Sequence, residues 1–369
     1  MPDRPSLTPL VESLPATVPF VGPETQERGR GRAFRARLGA NENGFGPSPR
    51  VVEAMREAAP QMWKYCDPEN HDLKQALAAH LSVAAQNVAI GEGIDGLLGL
   101  IVRQYVQPGD PVVTSLGAYP TFNYHVAGFG GRLVTVPYAD DRENLDGLLD
   151  AARRENARIV YLSNPDNPMG TWWEAGEIER FIAALPETTL LILDEAYGET
   201  APASALPPLD PTRPNLLRMR TFSKAYGLAG LRCGYCIGET AAIGAFDKVR
   251  NHFGMTRMAQ AAALAALADR AHLTWVVEQV DACRRRIGAI AEAHGLLPLP
   301  SATNFVTIDC RSDGAFAMRV LNALTERDVF VRKPMAPGLD RCIRVSVGPE
   351  AEIDIFEAEL GAALEAARA

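Results

Sequence analysis

The sequence predicts an α/β fold in which a large domain on a mainly parallel, doubly wound sheet precedes a smaller α+β domain. Three observations predict it. From about residue 87 to residue 240, short apolar runs alternate with helical patterns, as crossovers between parallel strands require. Beyond about Asn251 that alternation stops, and an Ala-rich helical stretch leads to a few strands and a closing helix. At 369 residues the chain also suits two joined domains better than one.

The elements follow in order. Residues 1–32 are rich in Pro, Gly and Arg and read as an irregular arm before a large domain over 33–250. "NVAI" (87–90) reads as a strand leading to a helix that ends near Val106, and "PVVTS" (111–115) leads to another beginning near Ala118. "RLVTV" (132–136) precedes an amphipathic segment from Leu145 to Arg154, and "RIVYLS" (158–163) precedes a helix around Glu174 to Leu185. "TLLILD" (189–194) and further strands at 216–221 and 234–238 complete the sheet. In the smaller domain, 251–369, a helical stretch over 259–290 comes before the strands "NFVTIDC" and "IRVSVG". The last helix carries Ile353, Phe356, Leu360 and Leu364 on one face.

Composition narrows the function. A hydrophobic fraction of 47% with 22% charged residues is ordinary globular composition. The net charge of −8 argues against a nucleic-acid or anionic-membrane surface. The opening residues lack a basic stretch followed by an apolar run, and no apolar run approaches the ~20 residues that span a bilayer. A cytoplasmic protein is expected. Six scattered cysteines fit a reducing compartment. Cys233 and Cys236 form a CxxC, but on a strand residues three apart point to opposite faces, and there is no second CxxC. The six histidines do not cluster at ligand spacing, so no metal site is predicted.

Four stretches carry chemistry. "GEGIDG" (91–96), between a strand and a helix, matches a dinucleotide fingerprint literally. The next strand ends without the acid that would hold a ribose, which favours a phosphate cradle at a helix N-terminus over NAD binding or a plain turn. "SNPDNPMG" (163–170) is a stiff turn that sets Asn167 after a strand, and "LILDEAYG" ends a buried strand on Asp194 with Tyr197 three residues on. By themselves these are a loop and a helix cap. "TFSKAYGLAGLRCGY" (221–235) places Lys224 directly after a further buried strand, where a solvated lysine is the ordinary explanation. In a doubly wound sheet, however, such strand ends converge on one crevice. A phosphate cradle, an Asn, an Asp, a Tyr and a Lys together form the set needed by a phosphorylated pyridine cofactor anchored as a lysine aldimine.

These motifs, in this order and spacing, resemble those of the fold-type I pyridoxal-phosphate enzymes, class I/II, and especially the histidinol-phosphate aminotransferase branch. The resemblance runs from "LGANENGFGPSP" (38–49) to "IRVSVGP" (343–349). It implies an aspartate-aminotransferase-like fold and pyridoxal 5'-phosphate as cofactor. Lys224 would form the aldimine, Asp194 would pair with the pyridine nitrogen, and Asn167 and Tyr197 would bind the phenolic oxygen. Ser223, Arg232 and the backbone at Gly93, Ile94 and Asp95 would hold the phosphate. Phe122 would stack on the ring. Tyr65 matches a tyrosine that reaches the neighbouring subunit's phosphate, which implies a homodimer. Arg344 would grip a substrate α-carboxylate. Apart from the resemblance, Arg257 on its Ala-rich helix either points to solvent or pairs with an acid across the domain boundary, or faces the pocket and offers a fork to a distal anion of the substrate. Met169 replaces the usual threonine of the turn, and "RNHFGMTRMAQAAA" (250–263) departs from the branch where it would border the substrate.

The resemblance implies transfer of an amino group between histidinol phosphate, or an amino acid, and 2-oxoglutarate. A decarboxylase acting on an amino-acid phosphate with the same cofactor is the alternative. A ligand-sensing domain would come with a basic DNA-binding segment, and none is present in this sequence.

Overall fold

The computed structural model describes residues 5–16 and 21–369. Residues 1–4 and 17–20 of the expected arm lie outside the described residues. The strands are β1 (Ala36–Arg37), β2 (Val88–Gly91), β3 (Pro111–Ser115), β4 (Arg132–Val136), β5 (Ile159–Ser163), β6 (Leu190–Asp194), β7 (Leu216–Thr221), β8 (Gly234–Gly238), β9 (Leu297–Pro298), β10 (Phe305–Asp309), β11 (Val329–Phe330) and β12 (Cys342–Ser346).

A seven-stranded sheet runs in the order β2-β8-β7-β6-β5-β3-β4. β4, β3, β5, β6 and β7 are mutually parallel, and β8 is antiparallel to both of its neighbours. The reversal has a local cause: β7 and β8 are joined by the loop 222–233, which contains no crossover helix. β5 and β6 are buried along their whole lengths, as parallel strands covered on both faces must be. Cys233 and Cys236 lie in different apolar clusters on the two sides of the sheet, and all six thiols are free and buried.

The C-terminal part is built on the antiparallel sheet β12-β10-β9. Its core includes Ile353, Phe356, Leu360 and Leu364 of the closing helix, Glu350–Arg368. Ala36 and Leu38 join this core, because β1 pairs with β11 in parallel register.

Two sequence expectations need correction. The helical stretch expected over 259–290 is broken into two helices, Arg257–Ala268 and Arg270–Ala293, divided at Asp269, whose carboxylate accepts the His272 N–H at 3.3 Å. The first packs Ala259, Ala262 and Ala263 against Val51, Leu73 and Leu77. The arm also holds a helix, Pro23–Arg30, which opens with Pro at its first turn and closes on Gly31 at φ +70°. Among the described residues no helix is long and apolar enough to cross a membrane, and no cluster of His, Cys, Asp and Glu could hold a metal ion.

Candidate active site

Parallel pairing brings the chemically important strand ends together. Ser163 on β5 lies opposite Asp194 on β6, and Asp194 lies opposite Met219 on β7. A cavity of about 260 Å³ opens at these carboxyl ends, lined by Ile94, Asp95, Asn167, Asp194, Tyr197, Ser223, Lys224 and Arg232. Tyr119, Tyr161, Ala40 and Glu42 complete much of its wall.

Asp194 is buried and receives hydrogen bonds from the Tyr161 hydroxyl (2.6 Å) and the Ala196 N–H (2.9 Å). Burial raises its carboxyl to about 6. The next residue shows the usual remedy for a buried carboxylate: Glu195 is held by Arg218 (3.1 Å) and Arg220 (3.0 Å). Among the described residues, no salt bridge reaches Asp194 or Lys224. The Lys224 amine donates to the Asn41 carbonyl at 3.0 Å and sits 5.5 Å from the centre of the Tyr197 ring. Burial, then the Arg344 and Arg232 guanidiniums, lower it to about 8.

Asn41 organises the opposite wall. It adopts φ +54°, a conformation that asparagine tolerates, and its side-chain amide donates to the Tyr197 hydroxyl at 3.1 Å. Its N–H and carbonyl are fixed by Ser346 and Asn304, both at 3.0 Å. Arg344 donates to Asn167 Oδ1 at 2.5 Å, and its guanidinium lies 5.0 Å from the centre of the Phe305 ring. Burial lowers Arg344 to about 10, and its buried Nε has no hydrogen-bond partner among the described residues.

The cradle lies at the other end. The helix Gly93–Tyr105 begins without a side-chain cap, leaving its first N–H groups available. Gly93 has φ +76°, and a Cβ there would lie 2.6 Å from Arg232 Nη2. A Cβ on Gly234 would lie 2.8 Å from the Gly93 carbonyl carbon. Arg232 Nη1 also reaches Ser223 Oγ at 3.5 Å.

Two expectations fail. Phe122 has no exposed surface; it stacks on Tyr161 at 4.5 Å inside the core and cannot offer a face to a ring in the cavity. Its position on the inward face of the helix Pro120–Gly128 explains this, and Tyr119, just before that helix, lines the cavity instead. Arg257 does not line the cavity. It begins the helix Arg257–Ala268 and donates to the Tyr65 carbonyl at 2.5 Å. Tyr65 is 78% exposed and packs on Phe253 at 4.9 Å, also away from its own cavity. Sequence reasoning missed Tyr119, Tyr161 and Asn41. An aromatic beside "PTF" and the run "NEN" were the available signals for the first and last, while Tyr161 inside a buried strand carried none.

The site suits a phosphorylated pyridine cofactor. Among the described residues, a buried carboxylate and a buried lysine form no salt bridge and an arginine Nε is orphaned, and glycines clear the way to a helix N-terminus. Comparison with known proteins agrees with this fit. The model of the family "Aminotransferase class I and II" matches residues 36–359. The chain therefore belongs to the class I and II aminotransferases, a pyridoxal-phosphate-dependent family of enzymes. Histidinol-phosphate aminotransferase 1 of Mesorhizobium japonicum is 39% identical over 88% of this chain and 89% of its own length. Histidinol-phosphate aminotransferase 2 of Pseudomonas aeruginosa is 36% identical over 96% and 97%. The crystal structure of histidinol-phosphate aminotransferase from Sinorhizobium meliloti, in complex with pyridoxal-5'-phosphate, is 58% identical, with a TM-score of 0.95 over 99% of both chains.

Proposed function

We propose that this protein transfers the amino group of histidinol phosphate to 2-oxoglutarate, using pyridoxal 5'-phosphate. The observation that carries this reading is the single cavity in which Lys224, Asp194, Asn167, Tyr197 and the Gly93–Arg232 cradle meet. When bound, the cofactor supplies an electron sink for the carbon that loses its proton. Lys224 would bind it covalently through its amine and, once released, move a proton at the substrate carbon. The lowered affinity of that amine for a proton suits both tasks. Asp194 would hold a proton on the ring nitrogen, and that cation would in turn bring Asp194 back towards the ordinary carboxylate range. Asn167 and Tyr197 would orient the ring through its phenolic oxygen. Ser223, Arg232 and the N–H groups at Gly93, Ile94 and Asp95 would hold the phosphate. Tyr119, which lines the cavity, would stack on the ring in place of Phe122.

Arg344 would bind the carboxylate of the 2-oxo acid in a fork. Arg332, paired with it across a backbone bridge, adds a second positive field suited to an anionic substrate. The large domain would span 33–250 and the small domain 251–369, except that β1 packs in the core of the small domain and the helix Arg257–Ala268 in a core of the large one. A homodimer would place the exposed Tyr65 against the partner's phosphate. The test is a donor screen with 2-oxoglutarate over histidinol phosphate, aspartate and phenylalanine. The expected result is glutamate formation fastest from histidinol phosphate, with visible absorbance bleached by borohydride. Carbon dioxide release without need of a 2-oxo acid would favour the decarboxylase and overturn the proposal.

A further inference from the structure

The stretch "NFVTIDC" carries an alternation that the proposed chemistry does not use. On β10, Val306 and Ile308 belong to the C-terminal core, and Cys310 joins them there. Phe305, Thr307 and Asp309 take the other face. Phe305 meets the Tyr197 ring edge-on at 5.6 Å and lies beneath the Arg344 guanidinium. Asp309 accepts Arg341 Nε at 2.8 Å, and the same guanidinium holds both Asp141 carboxylate oxygens at 2.8 Å. Between these two, Thr307 is fully buried, and its hydroxyl donates to the Pro168 carbonyl at 2.7 Å. A buried hydroxyl is costly without such a partner. Thr307 lies opposite Arg344 in the β10–β12 ladder, and Arg344 donates to Asn167. Two facing strand residues therefore hold two consecutive residues of the 163–170 turn. The next two are held as well. Met169 shares an apolar cluster with Leu299, Leu339 and Cys342, and the Gly170 carbonyl accepts the Ala302 N–H at 2.9 Å.

We infer that Thr307 is a positioning residue, whose hydroxyl docks the 163–170 turn on β10 and so fixes the Asn167 amide independently of Arg344. Arg344 cannot do this alone, because in the proposed function its guanidinium also binds substrate. The Thr307 bond is made to backbone and holds the turn whatever Arg344 does. The Asn167 oxygen accepts from Arg344, so the amide can donate only from its nitrogen. The ring's phenolic oxygen is the acceptor that the proposed function gives it. Without the Thr307 hydroxyl, the carbonyl of the buried Pro168 loses this donor, and the turn is free to shift. The consequence for Asn167 rests on the proposed aminotransferase reading, whereas the docking of the turn does not.

The test uses the full chain loaded with pyridoxal 5'-phosphate, and it reads the pH midpoint of the visible absorbance change. A donor to the ring's phenolic oxygen favours the ionised form, so displacing Asn167 raises that midpoint. Thr307→Val, which keeps the side-chain shape and removes the hydroxyl, should raise it by about half to one pH unit. Thr307→Ser restores the hydroxyl and should return the wild-type midpoint. Thr307→Ala, which adds no second methyl against the carbonyl, should shift as the valine does, so the outcome does not hang on one variant folding. Ile308→Val trims the neighbouring residue on the opposite face of β10; it should lower the melting temperature and leave the midpoint unmoved. Lys224, Asp194, Tyr197 and Arg344 are the same in every variant, so the shift reports Asn167. An unmoved midpoint in Thr307→Val and Thr307→Ala, no rescue by serine, or an equal shift in Ile308→Val overturns the positioning role. If the Thr307 variants shift the midpoint as stated but the wild type transaminates no donor, the positioning role stands and the aminotransferase reading falls.

Discussion

Burial sets the charge on the two residues closest to the proposed chemistry, and their pH dependence follows. The Asp194 carboxyl rises from 3.8 to about 6, so the folded cofactor-free chain binds a proton that the unfolded chain releases. Its stability therefore falls as pH rises across that window. The Lys224 amine falls from 10.5 to about 8, so the unfolded chain keeps a proton that the folded chain has lost. Stability is regained as pH rises from about 8 to about 10.5. Asp194→Asn should thus stabilise the cofactor-free protein at pH 7, by at most about 3 kcal/mol, with no gain near pH 4. Thermal denaturation at both values checks this. The same variant should lose turnover, because nothing would hold the proton on the ring nitrogen. Lys224→Ala should reduce transamination by about a thousandfold or more, while phosphate-held cofactor survives gel filtration. The Asp and the Lys were legible in the sequence as polar residues ending buried strands. Tyr161, which donates to Asp194, was not, because inside a wholly buried strand any side chain reads as core.

At the scale of elements, the start of the helix Gly93–Tyr105 and the start of the helix Arg257–Ala268 had different fates. "GEGIDG" marks its helix start through glycine's conformational freedom, a property of the residue itself. Gly93→Ala should displace Arg232 and weaken pyridoxal-phosphate binding by about tenfold to a hundredfold, the worth of a charge-assisted hydrogen bond. Absorbance titration measures it, and pyridoxal without the phosphate should be unaffected. Arg257 carried no such signal, since a surface arginine and a pocket arginine look alike in sequence. Its bond to the Tyr65 carbonyl predicts that Arg257→Ala lowers kcat/KM by the same factor for glutamate and phenylalanine. A loss confined to the anionic donor would return Arg257 to a substrate pocket. Phe122 and Tyr119 make the same point: three positions apart around a helix start, one faces the core and the other the cavity.

For the molecule as a whole, the exposed cluster of Tyr65 and Phe253, away from its own cavity, predicts active sites shared between two copies. Mixing Lys224→Ala chains with Tyr65→Phe chains should recover activity, because half of the sites in a mixed dimer are intact. Absence of recovery in chains shown to exchange would count against a shared site. The sequence by itself determined the seven-stranded sheet, nearly strand by strand, and the family, because apolar periodicity and strand-end polar residues are local properties. Only the tertiary structure decided that β1 joins the C-terminal core, that Asn41 fixes Tyr197, and that Tyr161 meets Asp194. Each of these joins residues far apart in the chain, or places a buried polar group by the partners that satisfy it. Neither the spacing nor the type of a residue reveals such partners before the chain has folded.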